Sequence, residues 1–473
     1  MRLRQTKTCA QSARDEAAAG VVPVDRESQL LVDDFLVARA DSVFRRVNRP
    51  RKERQPFLLA DREWEGSGVV FGCVVPLESG YRLYYRGWRA GAKRAADAAP
   101  RGPAVGSSPV CVAHSADGLT FSKAAPRGAL VRGTNIVLSD ALDDFTVLRD
   151  PDDPDAARRF KLLASRGNWR LGLTPAASPD GIRWTWGRDH AVAGFGDRCS
   201  YWYDPVNRKH VAWSRNYQLW PHRVIVQKET ADFDNWSDEQ DSPQRLVLAP
   251  DRRDHEQTQF YGGCAFWYRS LYLAYLEVYY VHQQRIDTQL ACSRDGRTWT
   301  RIGAGDVFLG NGEHGEFDAY WAVPTFNAPI LKDGRLLIHY NGRPDPHAQP
   351  GFRHVPPGMG GAFGLATLRE DGFVSLDATG AEGIVETKPL QPPSGWSALE
   401  VNCCPFTAAP GRAPMHVKVE LLDGRGGAVS SAVMHRRKPS CTWHRVRFPR
   451  RPAGAIRLRI RLVNARLYSF RFR

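Results

Sequence analysis

The sequence contains no apolar run long enough to cross a membrane. Residues 1–24 include Arg2, Arg4 and Lys7 but no continuous apolar segment of the kind that a signal peptide needs. We therefore expect a soluble, cytoplasmic protein with no membrane partner, or an exported protein if translation starts upstream of Met1.

Motifs for metals, nucleotides and nucleophilic triads are also missing. No Cys/His group has the spacing of a zinc site, no glycine-rich phosphate loop follows a strand pattern, and no Gly-x-Ser-x-Gly sequence occurs. We therefore predict no metal and no cofactor. Isolated histidines such as His282 and His339 are more simply explained as hydrogen-bonded core residues than as ligands.

The nine cysteines show no C-x-x-C spacing of a redox or metal motif. Cys403, Cys404 and Cys441 could pair within the C-terminal segment or stay free. The other strand-embedded cysteines fall within apolar patterns, which predicts buried free thiols. These are Cys73, Cys111, Cys199, Cys264 and Cys292.

Long runs of lysine and arginine interleaved with aromatic residues, as nucleic-acid-binding surfaces have, do not occur despite a net charge of +15. We attribute the positive charge to a solvated surface and predict no nucleic-acid partner. With 473 residues, 42% of them hydrophobic, the chain can form one large and one small domain. The oligomeric state is left open by the sequence.

A short motif with Asp-Gly at its centre recurs along the chain. Its copies start at residues 115, 178, 230, 293 and 369, a spacing closer to that of propeller blades than to that of most solenoid repeats. Ser115–Phe121, Ser178–Trp184 and Ser293–Trp299 are the strict copies. An Asp-Gly pair favours a tight turn in which glycine takes a positive φ, and the aromatic residue that follows can fill the core.

Each motif is preceded by two strand patterns that are joined by a turn. The first strands are predicted at 69–76, 145–148, 200–203, 263–268 and 325–331, and the second strands at 81–85, 159–163, 209–213, 271–275 and 335–340. Each unit is then an antiparallel meander. Because a single meander cannot bury both of its faces, we predict that the five meanders pack around a common axis.

The predicted fold class is therefore all-β, a five-bladed β-propeller followed by a small C-terminal β-sandwich. Residues 1–26 are rich in alanine and charge, which predicts a disordered segment. The propeller is assigned to residues 27–370, and a strand at 30–37 is expected to close its ring. Residues 371–473 are assigned to the sandwich, because their apolar residues alternate with a period of two.

These features resemble those of the five-bladed propeller glycoside hydrolases of the invertase and fructanase type (family 32) and of the arabinanase and xylosidase type (family 43). The resemblance covers about residues 28–473 and rests on the Ser-x-Asp-Gly-x-x-Trp/Phe motifs within five meanders and on the C-terminal strand pattern. It is closest to uncharacterised family-32-like proteins. It implies a carbohydrate substrate at one mouth of the central channel, where carboxylates near the starts of the innermost strands act on it.

Hydrolysis of a glycosidic bond needs two carboxyl groups. One protonates the leaving oxygen, and the other attacks the sugar or activates water. Like charges and partial desolvation can raise the pKa of the acid toward neutrality. The resemblance therefore directs attention to acidic and polar residues just before each first strand, namely Glu65, Asp144, Asp197, Glu256, Gln259 and Asp318.

The sequence departs from the family-32 pattern in the first blade. It has no Trp-x-Asn-Asp-Pro-Asn-Gly run, which carries the nucleophile in that family, and Trp64-Glu65-Gly66 stands in its place. Arg149-Asp150-Pro151 matches the Arg-Asp-Pro motif of the family, but Asp150 lines up with Asp204 of the next unit, at a hairpin turn. Asp144 is therefore the preferred inner residue with Asp150 in reserve, and the departures do not support fructose as the substrate.

The functional hypothesis is a glycoside hydrolase. By position, Asp197 corresponds to the general acid of the family, Glu65 or Asp144 serves as nucleophile or base, and Asp318 and Glu256 orient the sugar or tune pKa values. The predicted substrate-binding residues are Trp64, Trp202, Arg215, Asn216, Gln259, Tyr261 and Tyr320. Two alternatives stay open, a non-catalytic glycan-binding propeller and a scaffold that uses apolar patches on the propeller rim.

Overall fold

The computed structural model describes residues 20–88, 108–139, 142–167, 171–216, 222–236, 244–347, 360–405, 415–436, 442–452 and 454–473. These residues form strands and four short 3-10 turns, at Glu63–Glu65, Ala156–Arg158, Val281–Gln283 and Ile302–Gly305, with no α-helix among them. The all-β fold class is confirmed. The chain divides into two units, one made of the residues up to Asn48 with Tyr268–Leu271 and Arg369–Arg473, the other of Arg49–Trp267 with Tyr272–Leu368.

The larger unit contains five consecutive meanders, in which most strands pair with the strand that follows them in sequence. The first meander contains Gly68–Pro76, Tyr81–Trp88, Val110–Ser115 and Ile136–Leu138. The second contains Leu142–Arg149, Phe160–Arg166, Gly172–Ser178, Thr185–Trp186 and Val192–Ala193. The third contains Ser200–Asp204, Lys209–Asn216, Val224–Thr230 and Arg245–Leu248. The fourth contains Thr258–Tyr268, Leu271–Tyr280, Arg285–Ser293 and Thr300–Arg301, and the fifth Trp321–Pro324, Ile330–Lys332, Arg335–Arg343 and Ala362–Arg369.

Hydrogen bonds connect each meander to the next and the fifth meander back to the first. They join Tyr84 to Gly181, Thr146 to Tyr201, Ser200 to Gly263, Thr288 to Ala322, and Asn341 to Val69. A closed cycle of sheets is the arrangement that a β-propeller requires.

Apolar side chains fill the spaces between neighbouring sheets. Phe363 of the fifth meander packs in one cluster with Val69 of the first, and Trp213 of the third meander packs against Trp299 of the fourth with ring centroids 4.7 Å apart. The five cysteines that were expected to be buried free thiols are buried and unpaired, which confirms that prediction.

The Asp-Gly motifs form the turns that follow the third strands. In the three strict copies the serine hydroxyl accepts a hydrogen bond from the glycine amide, at 2.8 to 2.9 Å, and the aspartate accepts two more from the amides that follow. Gly118, Gly181 and Gly296 have φ values of 76°, 70° and 74°. The aromatic residues Phe121 and Trp299 are buried. The predicted turn chemistry is therefore confirmed.

One predicted first strand is wrong. The strand of the fifth meander ends at Pro324 instead of covering 325–331. The amide of Phe326 donates to the carbonyl of Gly72 at 2.9 Å, and the side chain of Asn327 accepts from the amide of Val74 at 2.7 Å. This segment turns away from its own sheet because its hydrogen bonds go to the first meander.

The predicted ring-closing strand at 30–37 is also wrong. Gln29–Leu30 pairs with Ser469 and Phe470, within the smaller unit. The N-terminal strand that joins the meanders is Arg51–Lys52, which pairs with Ala366 and Thr367 of the fifth meander.

The smaller unit consists of two sheets that share one apolar core, to which Ile460 contributes from one sheet and Phe470 from the other. Its strands are Val22–Pro23, Gln29–Leu30, Val37–Asp41, Phe44–Val47, Val374–Ala378, Gly383–Thr387, Leu390–Gln391, Leu399–Pro405, Met415–Asp423, Ala428–Arg436, Thr442–Val446, Ile456–Val463 and Ala465–Phe472. Of the segment expected to be disordered, residues 1–19 lie outside the described residues, and Val22–Pro23 pairs with Leu390–Gln391.

Candidate functional site

The candidate site lies at one edge of the meanders. The start of a first strand and the end of the following second strand share an edge, because the two strands are antiparallel. Side chains from these two positions are therefore brought together, although they are far apart in sequence.

Arg198 is the residue at which all five meanders meet. It precedes the first strand of the third meander, is buried, and has a positive φ of 52°. Its guanidinium lies 4.3 Å from the ring centroid of Phe71, from the first meander, and 4.2 Å from that of Phe326, from the fifth.

Two carboxylates bind this guanidinium. Asp144 Oδ2, from the second meander, is 3.0 Å from Arg198 Nη1, and Glu277 Oε2, from the fourth, is 2.7 Å from Nε. A side chain at Gly262 would collide with Arg198 and Glu277, so glycine is required for this packing. We call Asp144, Arg198 and Glu277 the inner triad.

Burial and charge shift the protonation equilibria of the inner triad. The pKa of Asp144 is raised to about 6; burial is the main cause, and the negative charge of Glu277 adds to it against the opposing effects of Arg198 and Arg86. Burial acts to lower the pKa of Arg198, but the two carboxylates outweigh burial and raise it. Asp144 can therefore hold a proton near neutral pH while Arg198 stays charged.

A second group of arginine and aromatic residues adjoins the inner triad. We call it the outer cluster, and its members are Arg86, Trp88, Arg215, Tyr261, Trp321 and Arg343. Phe71 connects the two groups, because its ring contacts Arg198 and also lies 5.2 Å from the Arg86 guanidinium and 6.2 Å from the Trp321 ring.

Trp321 lies in the middle of the outer cluster. Its buried indole stacks on the imidazole of His347 at 5.3 Å with an interplanar angle of 15°, and it meets the ring of Tyr261 edge-on at 5.3 Å. The guanidinium of Arg343 is 4.4 Å from the indole centroid. Residues from the fourth and fifth meanders thus form one continuous aromatic surface.

Trp88 contacts two arginines of the outer cluster. The guanidinium of Arg86 is 4.9 Å from its indole centroid, and that of Arg343 is 5.5 Å away. Arg86 also donates to the carbonyl of Leu142 at 2.7 Å. Two buried cations therefore share one indole, an arrangement in which the ring quadrupole stabilises both.

Arg215 and Asp197 form an ion pair beside Tyr261. The Arg215 guanidinium is 4.1 Å from the Tyr261 centroid. The side chain of Asp197 is 28% exposed, whereas Arg215 is buried, so the carboxylate forms the solvent-accessible end of the pair. Arg223 lies 5.7 Å from the same ring and donates to Gln259.

Positive charge alters the titration of groups in and near the outer cluster. The pKa of Arg343 is lowered to about 10 by burial and by the charge of Arg86, although Tyr261 and Asp345 oppose this. The pKa of His347 is lowered to about 3, first by burial and then by three surrounding arginines. The imidazole is therefore neutral at physiological pH.

Half of the residues predicted for the site are found here. Asp144 belongs to the inner triad, and Arg215 and Tyr261 belong to the outer cluster. Asp197 and Tyr320 contact the outer cluster, and Gln259 accepts a hydrogen bond from Arg223, which lies next to Tyr261.

Glu65 and Trp64 lie elsewhere in the first meander. Glu65 is fully buried; it accepts hydrogen bonds from Lys123 Nζ at 2.7 Å, from the Tyr85 hydroxyl at 2.6 Å, and from two backbone amides. Trp64 donates its indole N–H to Asn135 at 2.9 Å. These contacts hold the segment that precedes the first strand.

The other predicted residues have different surroundings. Asp318 binds Lys52 Nζ at 2.7 Å and the Tyr340 hydroxyl at 3.0 Å. Trp202 is a core residue in edge contact with Tyr272 at 5.6 Å. Of the last two predicted residues, Glu256 is exposed, and the side-chain amide of Asn216 donates to the side chain of Gln244.

Sequence reasoning did not assign roles to Arg198, Glu277, Arg86, Trp88, Arg343 and His347. A signal for several of them is present, because an ionisable residue recurs near the end of every second strand. These residues are Arg86, Arg166, Arg215, Glu277 and Arg343. An ionisable residue inside an otherwise apolar strand is costly to bury. Arg86, Arg215, Glu277 and Arg343 are buried and lie in the site, whereas Arg166 is partly exposed and pairs with Asp189.

No helix in the described part of the chain has the length and apolar character to span a membrane. Among the same residues, no group of three or more His, Cys, Asp or Glu side chains is arranged to hold a metal ion.

Comparisons with known proteins add information on similarity only. No protein-family model and no curated protein matches the sequence. Among solved structures, the chain is similar to an N-acetylgalactosamine deacetylase from F. plautii in complex with blood group B trisaccharide, with 13% identity, a TM-score of 0.47, and coverage of 68% of this chain and 95% of that chain. It is also similar to a family 43 arabinoxylan arabinofuranohydrolase from Bacillus subtilis in complex with cellotetraose, with 12% identity, a TM-score of 0.37, and coverage of 85% and 95%. A third is the β-1,2-mannobiose phosphorylase from Listeria innocua, with 13% identity, a TM-score of 0.44, and coverage of 68% and 96%.

Proposed function

We propose that the chain binds a glycan at the outer cluster and hydrolyses one of its glycosidic bonds. The observation that carries this proposal is the convergence of carboxyl groups and aromatic side chains at one edge of the meanders. The half-buried ring of Trp88 supplies an apolar face of the kind on which sugar rings stack, and the buried rings of Tyr261 and Trp321 belong to the same cluster. Asp144, bound to Arg198, and Asp197, bound to Arg215, supply the two carboxyl groups.

The two carboxyl groups have environments suited to different roles. Asp144 is buried, and its pKa of about 6 lets it carry a proton to the leaving oxygen. Asp197 is partly exposed and paired with Arg215, so its carboxylate is the one that a ligand can reach, which suits the role of nucleophile or base. This proposal exchanges the role that the family resemblance implied for Asp197 and leaves Glu65, which is held by Lys123 and Tyr85, out of the reaction.

A second candidate is a non-catalytic glycan-binding protein. The position of Arg198 favours it, because the guanidinium lies directly between Asp144 and Glu277 and is enclosed by Phe71 and Phe326. An arginine in this position neutralises both carboxylates and fills the space between them. Asp197 is outside that arrangement, which keeps hydrolysis as the first candidate.

The test compares turnover and binding in the same samples. Wild type, Asp144→Asn, Asp197→Asn and the control Asp234→Asn, an exposed carboxylate paired with Arg158, are assayed on a panel of oligosaccharides and aryl glycosides. We expect turnover to fall by about 100-fold or more in the two site variants and to be unchanged in the control.

Each outcome separates the candidates. Unchanged turnover in both site variants would remove these residues from the mechanism. Binding without turnover in wild type would support the second candidate, and the absence of binding to any glycan would contradict both.

A further inference from the structure

We propose that Tyr261 is a positioning residue of the proposed reaction: it holds Arg215, and through Arg215 the carboxylate of Asp197, without contacting the glycan itself. This inference rests on the proposed function, because it assigns a role within the same site. It replaces the role of substrate-binding residue that the sequence predicted for Tyr261.

Tyr261 lies in a chain of consecutive side-chain contacts. Its hydroxyl forms a hydrogen bond of 2.9 Å with Nε2 of His347, and the guanidinium of Arg215 lies over its ring, 4.1 Å from the centroid. Nη2 of Arg215 in turn donates to Oδ2 of Asp197. Side chains from the fifth, fourth and third meanders are therefore linked in one line that ends at a candidate catalytic carboxylate.

Exposure separates the residue that a ligand can reach from the residues behind it. The side chain of Asp197 is 28% exposed, whereas Tyr261 and Arg215 are only 8% and 5% exposed. A ring that is buried to this extent has little free face on which a sugar could stack. A glycan at the outer cluster can therefore meet the carboxylate of Asp197 while Tyr261 stays covered.

Three aromatic rings fix the orientation of Tyr261. Trp321 and Tyr279 meet its ring edge-on at 5.3 and 5.8 Å, and the imidazole of His347 meets it at 4.9 Å with an interplanar angle of 76°. Edge-to-face contacts are favourable and directional. Together with the hydrogen bond of the hydroxyl, they keep the ring face in one place for Arg215.

An arginine side chain has several rotatable bonds, and holding it in one geometry costs rotamer entropy. A guanidinium that lies over an aromatic face is attracted by the ring quadrupole, and the attraction is stronger when water is excluded. Arg215 is buried and has such a contact with Tyr261. The ring therefore restricts Arg215 to the position from which it donates to Asp197.

The charge state of His347 suits a supporting role. Its pKa is lowered to about 3, first by burial and then by Arg223, Arg343 and Arg215, so the imidazole is neutral at physiological pH. A neutral ring can hydrogen-bond to the hydroxyl of Tyr261 without repelling the guanidinium groups nearby.

The first test separates positioning from substrate contact by kinetics on the glycosides that the wild type hydrolyses. We expect Tyr261→Leu to lower kcat by about 10-fold or more, because a displaced reacting group reduces the rate, and to change KM by less than about 3-fold. Tyr261→Phe keeps a ring over Arg215 and should retain kcat within about 3-fold of wild type. Tyr261→Met is the second variant if Tyr261→Leu does not fold.

A double-mutant cycle tests whether Tyr261 acts through Arg215. Residues that act as a unit give strongly non-additive effects. In the background of Arg215→Gln, we expect Tyr261→Leu to lower kcat by less than about 3-fold further. Losses that multiply in the double variant would show that Tyr261 has an independent role and would overturn the inference.

A further measurement needs no substrate. The Nε–Hε NMR signal of Arg215 is assigned by its loss in Arg215→Gln, and its line width reports how firmly the guanidinium is held. We expect a sharp signal in wild type and in Tyr261→Phe, and a broadened or missing signal in Tyr261→Leu.

Tyr272→Leu is the matched control for loss of packing. Tyr272 is a buried tyrosine of the same meander, but its contacts are with the core, and its hydroxyl donates to Asp204 at 2.8 Å. This variant should lose stability while the Arg215 signal and kcat stay as in wild type.

Failure of this inference and failure of the proposed function give different results. A Tyr261→Leu protein with raised KM and unchanged kcat, or with an Arg215 signal as sharp as in wild type, would overturn the inference and leave the proposed function in place. Absence of turnover in wild type would contradict the proposed function, and the NMR signal would still decide whether Tyr261 holds Arg215.

Discussion

Asp144 is a buried carboxyl group whose pKa is raised to about 6, first by burial and further by Glu277. Because the folded-state pKa exceeds the ordinary value of 3.8, protonation of Asp144 favours folding. This stabilisation is complete below the ordinary value and is lost as the pH rises through about 6. Asp144→Asn imitates the protonated form, so we expect the variant to gain about 3 kcal/mol relative to wild type between about pH 4 and pH 7.

Denaturant unfolding of both proteins at about pH 4, 5.5 and 7 measures this difference. Asp234→Asn serves as the control, since that carboxylate is exposed and should give a difference that varies little with pH. A free-energy difference between Asp144→Asn and wild type that stays constant over the range would show that Asp144 titrates normally.

Glu65 provides a test of a structural role against a catalytic one. It is fully buried and pairs with Lys123, whose side chain is only 6% exposed. Glu65→Gln removes the buried carboxylate from that ammonium and leaves only the exposed one of Asp61, so we expect a loss of about 3 kcal/mol in the free energy of unfolding. Asp61 pairs with the same ammonium at 2.8 Å but is exposed, and Asp61→Asn should cost less than about 1 kcal/mol.

The measurement is denaturant unfolding of the two variants beside wild type, with turnover recorded on the same samples. A Glu65→Gln protein as stable as wild type but without turnover would return Glu65 to the role of nucleophile or base that the sequence predicted.

Position along a strand is what sequence reasoning can use to find site residues. It placed Asp144, Arg215 and Tyr261 at the edge where they are found. Position along a strand cannot show which acidic residue is already bound by a basic side chain. Glu65 pairs with Lys123, 58 residues later, and Asp318 pairs with Lys52, 266 residues earlier. Such long-range pairs depend on the fold as a whole.

The Asp-Gly turns differ in how closely they contact neighbouring strands. Gly118 and Gly181 both have positive φ, which alone makes alanine unfavourable by about 1–2 kcal/mol. A side chain at Gly118 would make ordinary contacts at 3.4 Å, whereas one at Gly181 would collide with the Tyr84 hydroxyl. That hydroxyl donates to the Gly181 carbonyl and links the first meander to the second.

We therefore expect Gly181→Ala to cost about 1 kcal/mol more than Gly118→Ala, because it also disrupts this hydrogen bond. Thermal or denaturant unfolding of the two variants gives the comparison, and each serves as the control of the other. Equal losses would mean that the backbone conformation alone determines the cost.

Apolar and polar residues alternate regularly along most strands of the meanders, which made these strands predictable. Strand prediction fails where contacts with another meander replace pairing within the sheet. The segment after Pro324 contains apolar residues that are typical of a strand, but the amide of Phe326 donates to the carbonyl of Gly72 in the first meander. Ala428–Arg436 is an edge strand that pairs only with Met415–Asp423 and exposes Val433. A strand with one neighbour buries less, so its sequence pattern is weaker.

At the scale of the whole molecule, the chain builds its smaller unit from segments that are distant in sequence. Val37–Asp41 pairs with Gly383–Thr387, and Phe44–Val47 pairs with Val374–Ala378. Strand patterns show where strands begin and end, but pairing between strands more than 300 residues apart is a property of the complete fold. For this reason the assignment of residues 27–48 to the propeller could not be checked against any local pattern.

These pairings predict that residues 371–473 do not fold alone. Without the N-terminal segment, Val374–Ala378 and Gly383–Thr387 lack a partner strand on one side, and the shared core loses Leu31 and Leu36. Unpaired edges and a truncated core leave a chain of this size without enough buried apolar area. We expect poorly dispersed amide resonances and no cooperative unfolding transition for this fragment.

A fusion of residues 20–48 to 369–473 is the matched control. The amide of Asn48 donates to the carbonyl of Phe373 at 2.9 Å, and its side chain donates to the carbonyl of Gly372 at 3.0 Å, so the two segments meet and a short Gly/Ser linker can join them. The fusion restores both strand pairs and should unfold cooperatively, whereas the same linker fused to a scrambled 20–48 sequence should not. If residues 371–473 alone unfolded as cooperatively as the fusion, the N-terminal strands would be accessory to this unit and the boundary predicted from the sequence would stand.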